Sequence, residues 1–171
     1  MASNRHLGRI IALQTLYEED FRKDAGDKNF DLDEVLNRNI GRYAEMVEDT
    51  DFIRQLVNGV SKKAKNLDEE LQPVAPEWPI DQIARMDKIV LRIGLYELKE
   101  ESDVPPKVVI NEAVELAKAF GSENSSKFIN GVLGTLLKQQ ADKDSKTKKK
   151  VTAKKKATTK KKATTKKKAS K

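Results

Sequence analysis

"MDKIVLRIGLYELKEESDVPPKVVINEAVELAKAFG", residues 86–121, holds two helix-forming runs and the break between them. In the first run, taken with the preceding "IDQIAR", Ile83, Met86, Val90 and Ile93 recur at helical spacing, with Leu91 and Leu98 beside them. That wide apolar stripe predicts a central helix of about five turns, beginning at Pro79, whose missing N–H is harmless in a first turn. Pro105 and Pro106 interrupt the chain, since proline disfavours helix in the residue before it. Val108 to Phe120 then predicts a second helix, and Gly121 suits a left-handed C-cap.

The same periodicity extends in both directions, and no alternating strand pattern competes with it. Ile10, Leu13, Leu16, Tyr17 and Phe21 form a stripe over residues 5–21. A weaker helix is expected from Asp33 to about Met46, and a third, capped by Thr50 or Asp51, up to Pro73. "PVAPEWPI", residues 73–80, reads as a breaker. After the polar corner at 121–126, a last helix carries Phe128, Ile129, Val132, Leu133, Leu136 and Leu137. Gly131 and Gly134 fall inside it, where close packing is the expected reason for a missing side chain. Six to seven helices joined by Pro, Gly and Ser corners make an all-α domain.

Charge divides the chain. Residues 143–171 carry 15 lysines against the single acid Asp144, leaving 19 of the 34 basic and 26 of the 27 acidic side chains in residues 1–142. The protein reads as an acidic body, 1–142, with a basic tail, 143–171, whose "KKKATT" repeats bury too little apolar surface to order themselves. No Cys is present, so disulfides and thiolate chemistry are excluded. No signal-type or membrane-length apolar run occurs, and the chain reads as soluble and cytoplasmic.

Catalysis finds no support. His6 is the sole histidine, no glycine-rich phosphate loop occurs, and the acids fall along helix faces expected to be solvated. No metal and no cofactor is expected. Nucleic-acid binding has three supports: Arg5, His6 and Arg9 at the N-terminus; Asn124, Ser125, Ser126, Lys127, Phe128 and Asn130 around the last helix start; and the lysine tail. Each has a plainer reading. Asn124 or Ser125 serves as a helix cap, Phe128 as core, and the tail as a solubilising extension. Asp87, flanked by Ile83, Met86 and Val90, is either at the rim of the core or kept for a cationic partner.

Three stretches together resemble the family of bacterial transcription antitermination factors called NusB: "IALQTLYE" (11–18), the 86–121 segment and "SSKFINGVL" (125–133). The likeness covers most of residues 5–137, is dense after residue 80, is weak across 22–50 and does not reach the tail. The resemblance implies two small helical bundles packed together and no catalysis. It also implies binding to boxA, a single-stranded element of ribosomal RNA leaders, jointly with the ribosomal protein NusE. The complex is loaded onto RNA polymerase, and some members of the family form homodimers. Carried onto this chain, the RNA-binding residues are Arg5, His6, Arg9, Gln14, Tyr17, Asn124, Ser125, Lys127 and Phe128, with Lys127 and Phe128 beside the arm. Asp87 and its helix form the face toward basic NusE. The arm is thinner than in many members, and Asn124 stands where many carry an acid. Two other readings compete: the RNA-binding domain that precedes some ribosomal RNA methyltransferases, and an architectural nucleic-acid-condensing protein acting through its tail.

Overall fold

The computed structural model describes residues 2–100 and 103–142. The disordered tail expected over 143–171 lies outside the described residues. By its contacts the chain divides into Met1–Thr135 and Leu136–Lys171, and the described part of the second unit, 136–142, is helical.

In the first unit, α1 spans Ala2–Asp24, α2 Leu32–Arg42, α3 Thr50–Leu71, α4 Arg85–Glu100 and α5 Pro106–Phe120. A last helix, α6, begins at residue 125. No strand occurs among the described residues. Helices α1, α2 and α3 pack on one another, α4 packs on α5, and α4 also meets α1 and α3. Leu133 of α6 lies against α4 at Gly94, where a β-carbon would come within 2.6 Å of it. The core joins both groups. Leu13, Leu16, Leu36, Ile53, Leu56, Val90, Leu91, Ile93, Leu116, Ile129 and Leu133 are all buried.

Caps set the helix starts and correct several expected boundaries. Asp31 accepts from the Glu34 N–H at 3.1 Å and starts α2. Asp49, rather than Thr50 or Asp51, starts α3 by accepting from the Phe52 N–H at 3.0 Å. These carboxylates satisfy donors that the first turn leaves free. The central helix starts at Arg85, not at Pro79. Residues 79–84 turn instead, with the Gln82 N–H donating to the Pro79 carbonyl at 2.8 Å. The Ile80 N–H is captured by the Gln72 side-chain oxygen at 2.9 Å.

Gly121 ends α5 with extended backbone (φ −90°, ψ −169°) rather than the left-handed cap expected. Its requirement is space. A β-carbon there would sit 2.6 Å from the Ala117 carbonyl oxygen and from Ser125. At Gly131 and Gly134 the expectation of close packing is overturned, because a β-carbon at either would meet nothing within 4 Å.

Candidate nucleic-acid interface

The corner between α5 and α6 is built by two serines. The Ser122 N–H donates to Ser125 Oγ at 2.8 Å, the two hydroxyls lie 2.9 Å apart, and the Ser125 N–H donates to the Ser122 carbonyl at 3.1 Å. Ser125 thus reaches back to close the turn at Ser122, and α6 opens with the Phe128 N–H donating to the Asn124 carbonyl at 3.1 Å. Ser125 is 1% exposed, so it shapes the corner from inside. Asn124 and Lys127 are exposed and Phe128 is half-buried. No ion pair engages Lys127 among the described residues. The first turn of α6 adds free N–H groups and the positive end of the helix dipole, which favour an anion.

Beside this corner runs a groove of about 550 Å³ lined by Trp78, Ile83, Asp87, Asn124, Lys127 and Phe128, among others. Asp87, in the first turn of α4, is 8% exposed, and its Oδ1 is buried without a hydrogen-bond partner. A buried carboxylate oxygen left open is costly, and a cation or N–H donor from another molecule would satisfy it. Residues expected to contact RNA and the one expected to contact the protein partner thus share a single groove.

The N-terminal arm is different. Arg5 lies over the Phe52 ring, 5.0 Å from its centroid, with Asp49 at 4.0 Å. His6 Nδ1 is 2.7 Å from Glu112 Oε2. Arg9, expected on an exposed basic arm, is 2% exposed. Its Nε lies 2.9 Å from Glu97 Oε2, its Nη2 2.6 Å from Glu97 Oε1, and its Nη1 3.4 Å from Glu112. The guanidinium is spent on a buried carboxylate pair, which corrects its reading as a surface cation. The geometry leaves Arg5 and His6 as the half-exposed members. None of the three lines the groove at the corner, which Lys127 and Phe128 share with Asp87 and Trp78.

Gln14 is half-buried on α1. Tyr17 and Phe21, exposed by 36% and 52%, both lie under the Arg85 guanidinium, at 5.9 and 5.3 Å. Arg85 is fixed by Asp20 at 2.8 Å and Asp24 at 2.6 Å, while Arg92 bridges Asp20 at 3.1 Å and Asp68 at 2.7 Å. Burial alone would push the Asp20 carboxyl up, but Lys88, Arg92 and Arg85 outweigh it and hold Asp20 below the ordinary carboxylate range. This network locks α4 against α1 and α3 and so sets where Asp87 stands.

Sequence reasoning missed Trp78 as a groove wall and missed the acids that hold the arm. Glu97 is 1% exposed and Glu19 is 6% exposed, although the acids were expected on solvated faces. Helical phase carried the signal for the arm. Arg9 precedes Leu13 and Leu16 by one and two turns, and Glu97 follows Ile93 and Val90 likewise, so both charges sit on core stripes. Among the described residues no cluster of His, Asp or Glu is placed to hold a metal, and no helix is long and apolar enough to cross a membrane.

The model of the NusB family matches residues 6–138. The chain belongs to the NusB family. It is 47% identical over 139 residues to the transcription antitermination protein NusB of Chloroflexus aggregans, covering 80% of this chain and 89% of that one. It is 43% identical over 142 residues to the NusB of Dehalococcoides mccartyi strain CBDB1, covering 83% and 95%. The NusB structure from T. maritima superposes with a TM-score of 0.70 at 30% identity, covering 78% of this chain and 90% of that one. A NusB solved with NusE and double-stranded RNA shares the fold, with a TM-score of 0.69 at 23% identity over 81% of this chain and 99% of that one. These curated relatives carry the name transcription antitermination protein.

Proposed function

We propose that this chain binds boxA-type single-stranded leader RNA together with the ribosomal protein NusE, and that the complex supports processive transcription of ribosomal RNA by RNA polymerase in the cytoplasm. Family membership supports the class of activity, and a solved NusB of the same fold assembles with NusE and double-stranded RNA. The observation that carries the reading is the groove at the α6 corner. There, exposed Lys127 and Asn124 and half-buried Phe128 flank the open carboxylate oxygen of Asp87.

In this reading Lys127 neutralises phosphate, Phe128 stacks on a splayed base and Asn124 bonds to base edges. Arg5, His6, Gln14 and Tyr17 extend the RNA contact along α1. Ser125 and Arg9 act from within, the first by fixing the corner and the second by anchoring α1 to α4 through Glu97. Asp87 accepts a cationic side chain of NusE. Residues 1–142 form the binding body. The lysines of 143–171 raise association rate and general RNA affinity without adding sequence choice.

The test is an anisotropy titration of labelled boxA-like RNA and a scrambled control, at moderate salt, with and without NusE. Selective binding that tightens with NusE is expected from the full chain and from residues 1–142. Equal binding to both RNAs and to duplex DNA, lost with the tail, would favour a condensing role instead.

A further inference from the structure

A second groove, of about 400 Å³, lies on the other side of Trp78 and Phe128, between the 74–78 turn and α6. We propose that it is a slot for one unpaired base of the bound RNA, stacked on Trp78 with its phosphate at Lys127; this rests on the RNA-binding reading above.

Several observations point there. Trp78 is 56% exposed, yet it is held rather than loose. Its N–H donates to the Ala75 carbonyl at 3.1 Å, its carbonyl accepts from Gln72 Nε2 at 3.3 Å, and the same Gln72 fixes the Ile80 N–H at 2.9 Å. With Pro76 and Pro79 on either side, the turn presents an indole whose backbone is already ordered, which suits a binding anchor.

Opposite the indole, Lys127, Gly131 and Thr135 line the groove at four-residue spacing, forming one lane along α6. Gly131 is exposed and its missing side chain is explained by nothing inside the chain, since a β-carbon would meet no atom within 4 Å. Glycine weakens a helix, and its bare backbone admits close approach by another molecule. Lys127 opens the lane with a cation that no acid neutralises among the described residues. Lys127 offers an anchor for phosphate, and the exposed indole lining the same groove offers a base a stacking surface. Glu77 on the rim is an acceptor for an exocyclic amino group. The lane also continues from the α6 corner, so a strand held at Asn124 and Phe128 would pass into it.

Trp78 is the sole tryptophan, which makes the test direct. The full chain is titrated with boxA-like single-stranded RNA while its intrinsic emission is followed, in parallel with anisotropy of the labelled RNA. Anisotropy is repeated with Trp78→Ala and with Gly131→Leu. At Gly131 a β-carbon has room, so leucine is placed there to fill the groove, and circular dichroism checks that each variant keeps the native fold. The tail is the same in every protein, so affinity ratios isolate the slot.

Expected is strong quenching of the emission that saturates together with anisotropy, and a loss of affinity of about ten-fold for each variant, the scale of one stacked base. RNA binding with unchanged emission and with both variants at wild-type affinity would overturn the slot and leave the RNA-binding reading standing. No RNA binding by anisotropy would remove that reading and the slot with it. An emission shift on adding NusE but none with RNA would assign the groove to a protein and overturn the proposal.

Discussion

Replacing Arg9 by Met separates an anchoring residue from an RNA ligand. Arg9 and Glu97 expose only 3% and 1% of their side chains, and two guanidinium nitrogens contact the carboxylate at 2.6–3.1 Å. Removing one partner of such a pair costs about 3–5 kcal/mol, because the other charge stays buried without its counterpart. The low end applies here, since Glu97 keeps a further interaction, so the expected loss is about 3 kcal/mol. With a urea m-value of about 1.5 kcal/mol/M, the unfolding midpoint falls by about 2 M. The double variant Arg9→Met with Glu97→Met removes both charges, and it should return to within about 1 kcal/mol of the native chain. Urea titrations of the three proteins supply the cycle, and the salt dependence of RNA affinity is measured alongside. A phosphate ligand would behave in the opposite way. If Arg9→Met leaves the midpoint in place but lowers the salt slope by about 1, Arg9 contacts RNA and the anchoring account is wrong.

Three further outcomes follow from the same geometry. Ser125→Ala removes the acceptor of the Ser122 N–H and should cost about 1 kcal/mol, a fall in Tm of about 4 °C by calorimetry; no change would show that the corner is held by other means. Asp20 is held below the ordinary carboxylate range, so its contribution is complete above about pH 4 and is lost as pH falls through its folded value. Thermal melts from pH 6 to pH 2 should therefore show a shallower decline for Asp20→Asn than for the native chain, and parallel declines would contradict the role of its three cations. Asn124→Asp places a carboxylate on the exposed corner and should weaken RNA binding by about 1 kcal/mol or less, with equal affinities at low salt refuting it.

The helices were legible because their apolar residues recur at helical spacing over long runs, and Leu13, Leu16, Val90 and Ile93 are buried as that spacing requires. Helix starts were less legible because their cause is a side-chain bond. "GSENSS" offers several capping residues, and only the bonds of Ser125 to the Ser122 N–H and of Phe128 to the Asn124 carbonyl show how the corner closes and where α6 opens. Pro79 suited a first turn equally well, but Gln72, distant by a turn of chain, draws the backbone into a different path at Ile80. Helical phase places Arg9 on a core stripe, but its partner stays hidden, as nothing near Arg9 in sequence announces Glu97. Sequence alone leaves Asp87 between the rim of the core and a partner, and the open Oδ1 that bears on this choice exists only in three dimensions. Trp78 belongs to no periodic run, so its place between two grooves carried no sequence signal.

The most direct test is terminator read-through by purified RNA polymerase on a leader carrying either a boxA-like element or its scrambled form, with NusE and the other antitermination factors supplied. The full chain should raise read-through only on the boxA-like template and only with NusE present. A variant carrying Lys127→Ala and Phe128→Ala should lose most of that gain while remaining folded. Equal read-through on both templates, or full activity in that double variant, would contradict the assignment of RNA recognition to the α6 corner.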